Sequence, residues 1–281
     1  MEYKVIEIVA GIYTVQNENE TLKIPAAGKL RYLETSPVVG DNVIVQNGVI
    51  TNILTRKNSF IRPKVANIDQ MIIFMSIQHP KFQTFLVDKY LAIIESKNIK
   101  PIIFITKVDL DPSYAQEVQK YYQDMEYEVY LINNKDLSYT EKIEHLFENK
   151  YSVFMGQSGV GKTTTLNNLG GHNFSTQEIS KALGRGKHTT RTVSIISFKN
   201  GFLIDTPGFS SLSLDLDKEQ LAKSYYSFRN LALSCKFRNC LHKNESESEC
   251  AVKQNIGTKL IPQIRYNNYI KLLDEIDKER K

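Results

Sequence analysis

The segment that most limits the possible folds of this chain is Gly156–Thr163, which reads G-Q-S-G-V-G-K-T. It matches G-x-x-x-x-G-K-[ST], the pattern of a phosphate-binding P-loop, which needs a strand before it and a helix after it. The apolar run 151–155 predicts the strand, and residues 164–169 contain no helix breaker. Glycines let backbone N–H groups point at phosphate oxygens, and a helix N-terminus adds a positive dipole end. We therefore expect an α/β nucleotide-binding domain rather than a glycine-rich loop that binds nothing.

The residue types of this loop predict a role for each position. The Lys162 ammonium group would reach the β- and γ-phosphates and neutralise their charge, which makes Lys162 a catalytic candidate. The Thr163 hydroxyl would bind Mg²⁺. The residues expected to contact the nucleotide phosphates are Gly156, Gln157, Ser158, Gly159, Val160, Gly161, Lys162, Thr163 and Thr164.

From residue 68 onward, short apolar runs alternate with segments whose apolar residues recur at helical spacing. The runs 71–75, 101–105 and 128–132 predict strands, and the segments between them predict helices. Such βαβα alternation is typical of a parallel sheet that helices cover on both faces. The run before the P-loop continues the series.

The segment directly after the strand 101–105 indicates which base the site would bind. Thr106-Lys107-Val108-Asp109 resembles the N-K-x-D motif of GTPases, with Thr in place of Asn. The Asp109 carboxylate would accept hydrogen bonds from guanine N1–H and the exocyclic amine, and adenine offers no matching donors. Lys107 would lie along the base, and the Thr106 hydroxyl can replace some bonds of the missing amide. Residues 133–135 occupy the place of the S-A-K loop by position only, and a polar strand-to-helix loop is the alternative for both segments.

Two segments downstream of the P-loop suit the mobile switches of a GTPase. Asp205-Thr206-Pro207-Gly208 follows an apolar run and resembles the D-x-x-G motif, so Asp205 would hold Mg²⁺ through water and the Gly208 N–H would bind the γ-phosphate. The segment 184–191 contains Gly and Thr residues that suit switch I, where a Thr hydroxyl completes the Mg²⁺ shell. Both Thr189 and Thr190 are candidates for this Mg²⁺ contact, and we favour Thr190.

The group that orients the attacking water is not evident from these motifs. Ras-like enzymes carry a Gln after the D-x-x-G glycine, whereas Phe209 stands there in this chain and cannot orient water. Intrinsic hydrolysis should therefore be slow. His188 in the predicted switch I is our catalytic candidate, and an incidental loop histidine with help from a partner is the alternative.

The order of the motifs differs from that of a standard GTPase. The segments expected to bind guanine, near 106 and 133, precede the P-loop at 156, whereas they normally follow both switches. The domain is therefore expected to be circularly permuted, which folds tolerate when the original termini lie close together. The chain would then pass from switch II directly into its C-terminal region.

The first 65 residues contain about five short β-like runs, and Asn47-Gly48 between two of them is a strong hairpin signal. A small barrel of the OB type is expected from this size and strand number. It would bind nucleic acid or serve as a docking module. The following basic segment, Arg56–Lys64, could contact phosphates with Phe60 stacked on a base, or could be a solvated linker.

All three cysteines of the chain lie in its last fifth, close to one histidine. This odd, clustered number in a chain expected to be cytosolic favours metal binding over disulfides. Three thiolates and one imidazole form the closed tetrahedral set of a structural zinc site, although a histidine beside buried cysteines is the alternative. The expected zinc ligands are Cys235, Cys240, His242 and Cys250. Nearby basic residues could contact RNA, and the C-terminal tail predicts an amphipathic helix.

Bulk properties limit the partners and the location. The formal net charge of +5 fits an anionic partner such as nucleic acid. No run of about 18 apolar residues predicts a membrane span, and the N-terminal residues do not resemble a signal peptide. We therefore expect a cytoplasmic protein without a membrane partner, and nothing in the sequence indicates more than a monomer.

With these motifs in this order, the whole chain resembles the RsgA (YjeQ/YloQ) family of small ribosomal subunit biogenesis GTPases. The resemblance implies an OB-fold domain at 1–65, a circularly permuted GTPase domain at 66–215 and a largely helical zinc-binding domain at 216–281. It also implies one structural zinc ion per chain, Mg²⁺ with GTP, and GTP hydrolysis to GDP that the small (30S) subunit stimulates. The implied partners are GTP, GDP and the small subunit in late maturation, with its 16S rRNA and neighbouring proteins.

Two other functions remain open at the level of sequence. The protein could be an RNA-binding module that a nucleotide gates, with hydrolysis serving only to reset it. It could also be an ATPase, in which case the proposed role of Asp109 in base recognition would be wrong.

Overall fold

The computed structural model describes residues 1–32, 36–170, 193–205 and 214–279. These residues pack as two compact units between which the chain alternates. The first unit takes its described residues from 1–71, 136–155 and 162–211, and the second from 72–135, 156–161 and 212–281. The three-domain division expected from the sequence stays a prediction.

The secondary structure follows the predicted order of a β-rich N-terminal part, an alternating α/β part and a helical C-terminal part. The strands are β1 Glu2–Val9, β2 Ile12–Gln16, β3 Thr21–Pro25, β4 Asn42–Gln46, β5 Val49–Ile53, β6 Ser59–Phe60, β7 Val65–Ala66, β8 Gln70–Ser76, β9 Lys100–Thr106, β10 Glu128–Ile132, β11 Tyr151–Met155, β12 Ser194–Phe198 and β13 Gly201–Asp205. The helices are α1 Gly28–Tyr32, α2 Thr84–Ser96, α3 Pro112–Asp124, α4 Thr140–Glu144, α5 Lys162–Gly170, α6 Lys218–Ala222, α7 Tyr226–Ala232, α8 Ala251–Gln254 and α9 Gln263–Glu279.

The first five strands form the predicted barrel. Antiparallel ladders join β1 to β2, β2 to β3, β1 to β4 and β4 to β5. A parallel bridge between Ala26 and Ile50 brings the end of β3 beside β5, so the strand order closes as β1-β2-β3-β5-β4-β1. Asn47 and Gly48 both have positive φ, of 50° and 74°, as a two-residue hairpin turn requires. The closed five-stranded order confirms the OB-fold class.

The first unit also contains the strand that precedes the P-loop. Strand β11 pairs in parallel with β13, and β13 pairs antiparallel with β12. Strand β12 in turn pairs with β1 at the Glu7–Ser194 position, so the barrel and this sheet share one ladder. Gly201 allows a close chain approach, because a Cβ at this residue would lie 1.8 Å from the Phe147 carbonyl oxygen.

The second unit contains the parallel strands β9 and β10, with β8 beside β9. Every residue of β8 is buried, as expected of a strand covered on both faces. Helix α3 begins with Pro112, and the side chain of Asp111 accepts a hydrogen bond of 3.1 Å from the Tyr114 N–H, which caps the helix. These elements confirm the predicted βαβα alternation.

The C-terminal helix α9 packs on α2 of the same unit through a buried ion pair. Arg265 Nε lies 2.9 Å from Asp88 Oδ1, and the two side chains are 1% and 0% exposed. The Asn268 amide donates to Asp88 Oδ2 at 2.6 Å. The guanidinium carbon lies 5.2 Å and 4.7 Å from the ring centroids of Tyr127 and Tyr225. The predicted amphipathic helix is confirmed, but one of its largest fully buried side chains is a cation, Arg265, that the apolar pattern did not reveal.

No helix within the described ranges combines the length and the apolar character that a membrane crossing needs.

Candidate nucleotide-binding site and metal centre

The P-loop segment lies in the predicted setting between β11 and α5. Its glycines have φ values that L-residues rarely adopt: 141° at Gly156, 80° at Gly159 and 93° at Gly161. At Gly156 a Cβ would also lie 2.3 Å from the Phe74 carbonyl oxygen. The loop conformation therefore depends on the motif glycines. Of the other predicted phosphate contacts, Gln157 and Ser158 lie in the loop, and Lys162, Thr163 and Thr164 begin α5.

The segment predicted to bind guanine contacts this loop directly. Thr106 is fully buried at the end of β9, and its hydroxyl donates to the Val160 carbonyl at 2.6 Å. Asn134 approaches from the loop after β10, because a Cβ at Gly161 would lie 3.1 Å from its Nδ2. Three segments far apart in sequence therefore meet within the second unit. The Thr106 hydroxyl makes a bracing bond, as expected if it replaces the Asn amide of the N-K-x-D motif.

Asp109 lies in a short 3-10 helix, Val108–Leu110, that follows this contact. Its carboxylate accepts from Lys135 Nζ at 2.6 Å and is 22% exposed. The hydrogen bond from Lys135 lowers the pKa of Asp109, so the side chain is an ionised acceptor at neutral pH. Lys107 has a left-handed backbone with φ of 55°, and its Nζ donates to the His79 carbonyl. The predicted role of Lys107 along the base stays a prediction.

Sequence reasoning missed both of these lysine contacts. The segments 106–109 and 133–135 were each identified by position, but no local pattern indicated that Lys135 would neutralise Asp109. The loop that contains His79 carried no motif at all. Such contacts arise from the meeting of loops at the carboxyl ends of neighbouring strands, which is where α/β sheets bind ligands.

Several predicted residues lie outside the described part of the chain. The segment 184–191, with His188, Thr189 and Thr190, is among them, as are Gly208 and Phe209. Asp205 ends β13, but the structure does not describe its side chain. The predicted Mg²⁺ and γ-phosphate contacts of these residues stay predictions.

The Thr106–Val160 bond gives a first testable prediction. Replacing Thr106 by Val keeps the shape of the side chain but leaves the Val160 carbonyl without its donor, so GDP affinity should fall by about tenfold. Isothermal titration with GDP measures this change. Thr140→Val is the matched control, because it removes a hydroxyl–carbonyl bond of 2.8 Å to Leu137 at an exposed position. Equal GDP affinity of wild type and Thr106→Val would contradict the bracing role.

The predicted metal ligands come together in the second unit. The three thiol sulfurs and one ring nitrogen of Cys235, Cys240, His242 and Cys250 all lie within 4.8 Å of one another. His242 Nδ1 lies 3.3 Å from the Cys250 sulfur and 3.8 Å from that of Cys235. Ligand atoms of a tetrahedral zinc site, with bonds of about 2.0–2.3 Å, are about 3.5–3.8 Å apart. The donor set and its spacing therefore fit a metal ion of the zinc type.

The surroundings favour ligation by these groups. Burial lowers the pKa of His242, so the imidazole is neutral and its Nδ1 lone pair can bind a metal. Burial raises the pKa of the Cys240 and Cys250 thiols, so a cation must be present for them to ionise together. Helix α9 holds the cluster, because Tyr266 and Tyr269 donate to the carbonyls of His242 and Leu241 at 2.7 Å and 2.6 Å.

The segments predicted to bind guanine contact the P-loop and precede it in the chain. This order of motifs defines the class of circularly permuted GTPases. Comparison with known proteins agrees. The crystal structure of YloQ, a circularly permuted GTPase, is similar to this chain with 35% sequence identity and a TM-score of 0.80, and the match covers 100% of this chain and 96% of that one. For the YjeQ structure from Thermotoga maritima the identity is 30%, the TM-score 0.83 and the coverage 98% of both chains.

The chain belongs to the RsgA GTPase family. The family profile described as RsgA GTPase matches residues 53–215, and that of the RsgA N-terminal domain matches residues 3–50. The small ribosomal subunit biogenesis GTPase RsgA of Mycoplasmopsis agalactiae is 52% identical over 100% of both chains. Its Bacillus subtilis counterpart is 40% identical, and the match covers 100% of this chain and 98% of that protein.

Proposed function

We propose that this protein binds the small ribosomal subunit late in its maturation and hydrolyses GTP to GDP and phosphate when the subunit stimulates it. The hydrogen bond from Thr106 to Val160 supports nucleotide binding most directly, because it joins the segment predicted to bind guanine to the P-loop. The partner is proposed from the names of the relatives, which are small ribosomal subunit biogenesis GTPases. A cytoplasmic monomer is part of the same proposal.

The proposed mechanism relies on positioning and charge rather than covalent chemistry. Asp109 would fix the base, and the loop 156–161 would hold the phosphates with main-chain N–H groups. Lys162 would neutralise charge that develops on the transferred phosphoryl group. Thr163, in the first turn of α5, offers the oxygen ligand that Mg²⁺ prefers, with Thr190 and Asp205 proposed to complete the shell. Bound Mg²⁺ would supply further neutralisation of the phosphate charge.

We propose the domain boundaries 1–65, 66–215 and 216–281 for this activity. In this division the barrel and the C-terminal domain contact the subunit, and the central domain turns over the nucleotide. One zinc ion held by Cys235, Cys240, His242 and Cys250 would have a structural role, because four protein ligands leave no open position for water.

GTP turnover in the presence of purified 30S subunits tests the function, with 50S subunits as the control. We expect 30S subunits to raise the rate by about tenfold or more, since the chain lacks a Gln after the D-x-x-G glycine. Equal stimulation by 50S subunits, or none by 30S subunits, would contradict the proposal. Single-turnover rates with and without subunits separate this enzyme from a nucleotide-gated RNA-binding module, which the closed OB-fold barrel would also suit.

The proposed catalytic histidine gives a second prediction. His188→Ala should lower the subunit-stimulated rate by about 100-fold, the size of a general acid–base or water-orienting contribution, and leave GDP affinity unchanged. His145→Ala, at an exposed position in a short helix, is the control. If the stimulated rate of His188→Ala equals that of wild type, the subunit must supply the water-orienting group.

Metal removal gives a third prediction. Purified protein should contain about one zinc ion per chain. Cys250→Ser should lose this ion, and the surrounding helices should unfold, because metal binding and folding are linked. Atomic emission measures the metal, and near-UV circular dichroism follows the tyrosines packed around the cluster. Ser234→Ala, adjacent to the first ligand, should keep both. A Cys250→Ser protein that keeps stoichiometric zinc would contradict the four-ligand assignment.

A further inference from the structure

A pocket lies in the second unit at the amino ends of β9 and β10, where α2 and α3 end and α7 begins, and we call it the basal pocket. Its volume is about 490 Å³, within the range of sites that hold ligands. The loops predicted to bind guanine follow the carboxyl ends of the same two strands. Because β9 has 7 residues, about 20 Å separates its two ends. The basal pocket is therefore distinct from the candidate nucleotide site.

Apolar side chains form much of the wall of the basal pocket. Ile99 and Met125 are buried, and Pro101 and Leu260 are partly exposed beside them. Tyr226, the first residue of α7, also lines the pocket and is 61% exposed. Apolar walls pack against the aliphatic stems of long side chains, and an exposed tyrosine ring can contact a cation. The wall therefore suits a ligand with an apolar stem and a positively charged end.

The two cations of the wall already have acceptors. Lys100 Nζ lies 2.6 Å from Glu128 Oε1. The Arg229 guanidinium donates to the Asn98 side-chain oxygen and to the Glu95 carbonyl, both at 2.7 Å. Both cations are thus held by groups of the wall itself, which leaves them poorly placed to bind an anionic ligand.

The carboxylates of the wall, in contrast, retain unused acceptor atoms. Glu128 Oε2 is buried and accepts no hydrogen bond from any described residue. Glu126 is exposed, and no cation within the described ranges pairs with it. The Glu95 carboxylate is buried and accepts from the Tyr226 N–H. A buried charged oxygen without a donor costs free energy, so a ligand that supplies donors is favoured here.

The helix ends around the basal pocket carry charge of the same sign. Helices α2 and α3 both end at the wall, and the residues that follow each of them line the pocket. The carbonyl end of a helix has a partial negative charge that favours a cation. At the end of α2 the Arg229 guanidinium fills this role through its bond to the Glu95 carbonyl. Helix α3 has no basic residue in its last turn, so its end favours a cation from outside.

We propose that the basal pocket binds an arginine side chain from a basic segment of a partner protein, with the guanidinium on Glu126 and Glu128 and the stem against the apolar wall. A guanidinium carries five donors in one plane and binds carboxylates through two of them at once. Arginine also contacts aromatic rings more often than lysine does. The same carboxylates repel phosphate groups, so they disfavour RNA at this pocket although the net charge of the chain is +5. This docking does not require the proposed GTPase activity.

Binding of arginine peptides to the full-length protein tests this proposal. The probe is an array of hexapeptides with arginine at a fixed central position and all other positions varied, compared with the same peptides that carry citrulline there. Citrulline keeps the shape of arginine but has no charge. We expect a subset of the arginine peptides to bind, and citrulline to weaken their binding by about tenfold or more, because hydrogen bonds between charged groups are lost. Absence of any bound arginine peptide, or equal binding of the citrulline peptides, would overturn the proposal.

Variants of the wall show whether the bound peptides occupy the basal pocket. Glu126→Gln with Glu128→Gln should weaken peptide binding by about tenfold, because it removes both charges that face the guanidinium. Tyr226→Ala should weaken it by about threefold, the size of an exposed cation–π contact. The control, Glu117→Gln with Glu141→Gln, removes two exposed carboxylates elsewhere and should keep wild-type affinity.

Circular dichroism checks that each variant is folded. Wild-type peptide affinity in the Glu126→Gln, Glu128→Gln protein, or an equal loss in the control, would show that the peptides bind elsewhere and would overturn the proposal. Failure of the wild-type protein to bind GDP would overturn the proposed function and leave the peptide result unaffected.

Discussion

Replacing Asp109 by Asn should lower GDP affinity by about 10²–10³-fold and transfer part of the preference to xanthosine diphosphate. The carboxylate can accept from both guanine donors, whereas the amide offers one acceptor and one donor, so one guanine bond is lost and a donor faces a donor. Hydrogen bonds to a charged group contribute about 1.5–3 kcal/mol each. Xanthine carries a carbonyl in place of the exocyclic amine, so the new amide donor would match it.

Competition titrations with GDP, XDP and ADP measure this exchange in the wild type and the variant. Asp111→Asn is a matched control two residues away, because Asn can also cap α3 by accepting from the Tyr114 N–H. Unchanged GDP affinity in Asp109→Asn would place the base elsewhere. Equal GDP and ADP affinity in the wild-type protein would favour the ATPase alternative.

Arg265→Met should destabilise the protein by about 3–5 kcal/mol, because it leaves the Asp88 carboxylate buried without its cation. Burial already raises the pKa of Asp88 to about 6, although Arg265 and Asn268 lower it. The free energy lost by removing this carboxylate from water therefore exceeds the free energy gained from its attraction to Arg265. Denaturant unfolding followed by circular dichroism measures the loss.

Two further variants and a pH series distinguish the loss of the buried ion pair from non-specific destabilisation by the substitution. Lys89→Met removes a partly exposed ion pair of 3.0 Å to Glu275 between the same two helices and should cost about 1 kcal/mol or less. The double variant Asp88→Leu, Arg265→Met should recover most of the stability, because neither charge of the pair is left buried without the other.

In Arg265→Met the pKa of Asp88 in the folded state lies above its pKa in the unfolded chain. The folded variant is therefore most stable below the unfolded pKa, where Asp88 is protonated, and it loses stability as the pH rises through the folded-state pKa. The loss should therefore be larger at pH 8 than at pH 5. A loss independent of pH, or a double variant no better than the single one, would contradict the explanation.

The parts of the fold that depend on local patterns were predictable from the sequence. The P-loop glycines, the Asn47-Gly48 turn and the cysteine–histidine group each combine a residue type with a fixed spacing, and the structure places them in the expected settings. Few residue types can adopt the backbone conformations that the P-loop and the hairpin turn require, so the residue pattern alone predicts these features.

The buried contacts between distant segments could not be predicted in this way. Arg265 lies in a helix whose apolar stripe predicted the face that packs, and an arginine beside that stripe is ordinarily solvated. Its partner Asp88 lies on α2, much earlier in the chain. Phe60 in β6 is only 8% exposed, so the expectation that its ring stacks on a base is wrong. Neighbouring side chains of a strand point to opposite faces, but only the pairing of β6 with β7 decides which of them is buried.

The pairing of β1 with β12 has a mechanical consequence for how a bound subunit could act on the nucleotide. Strand β12 begins shortly after the segment that contains His188 and Thr190, and its first residue, Ser194, is paired with Glu7 of the barrel. The barrel therefore cannot tilt away from this strand without breaking that pairing. A partner that binds the barrel would therefore act on Ser194, at the start of β12, through this main-chain pairing.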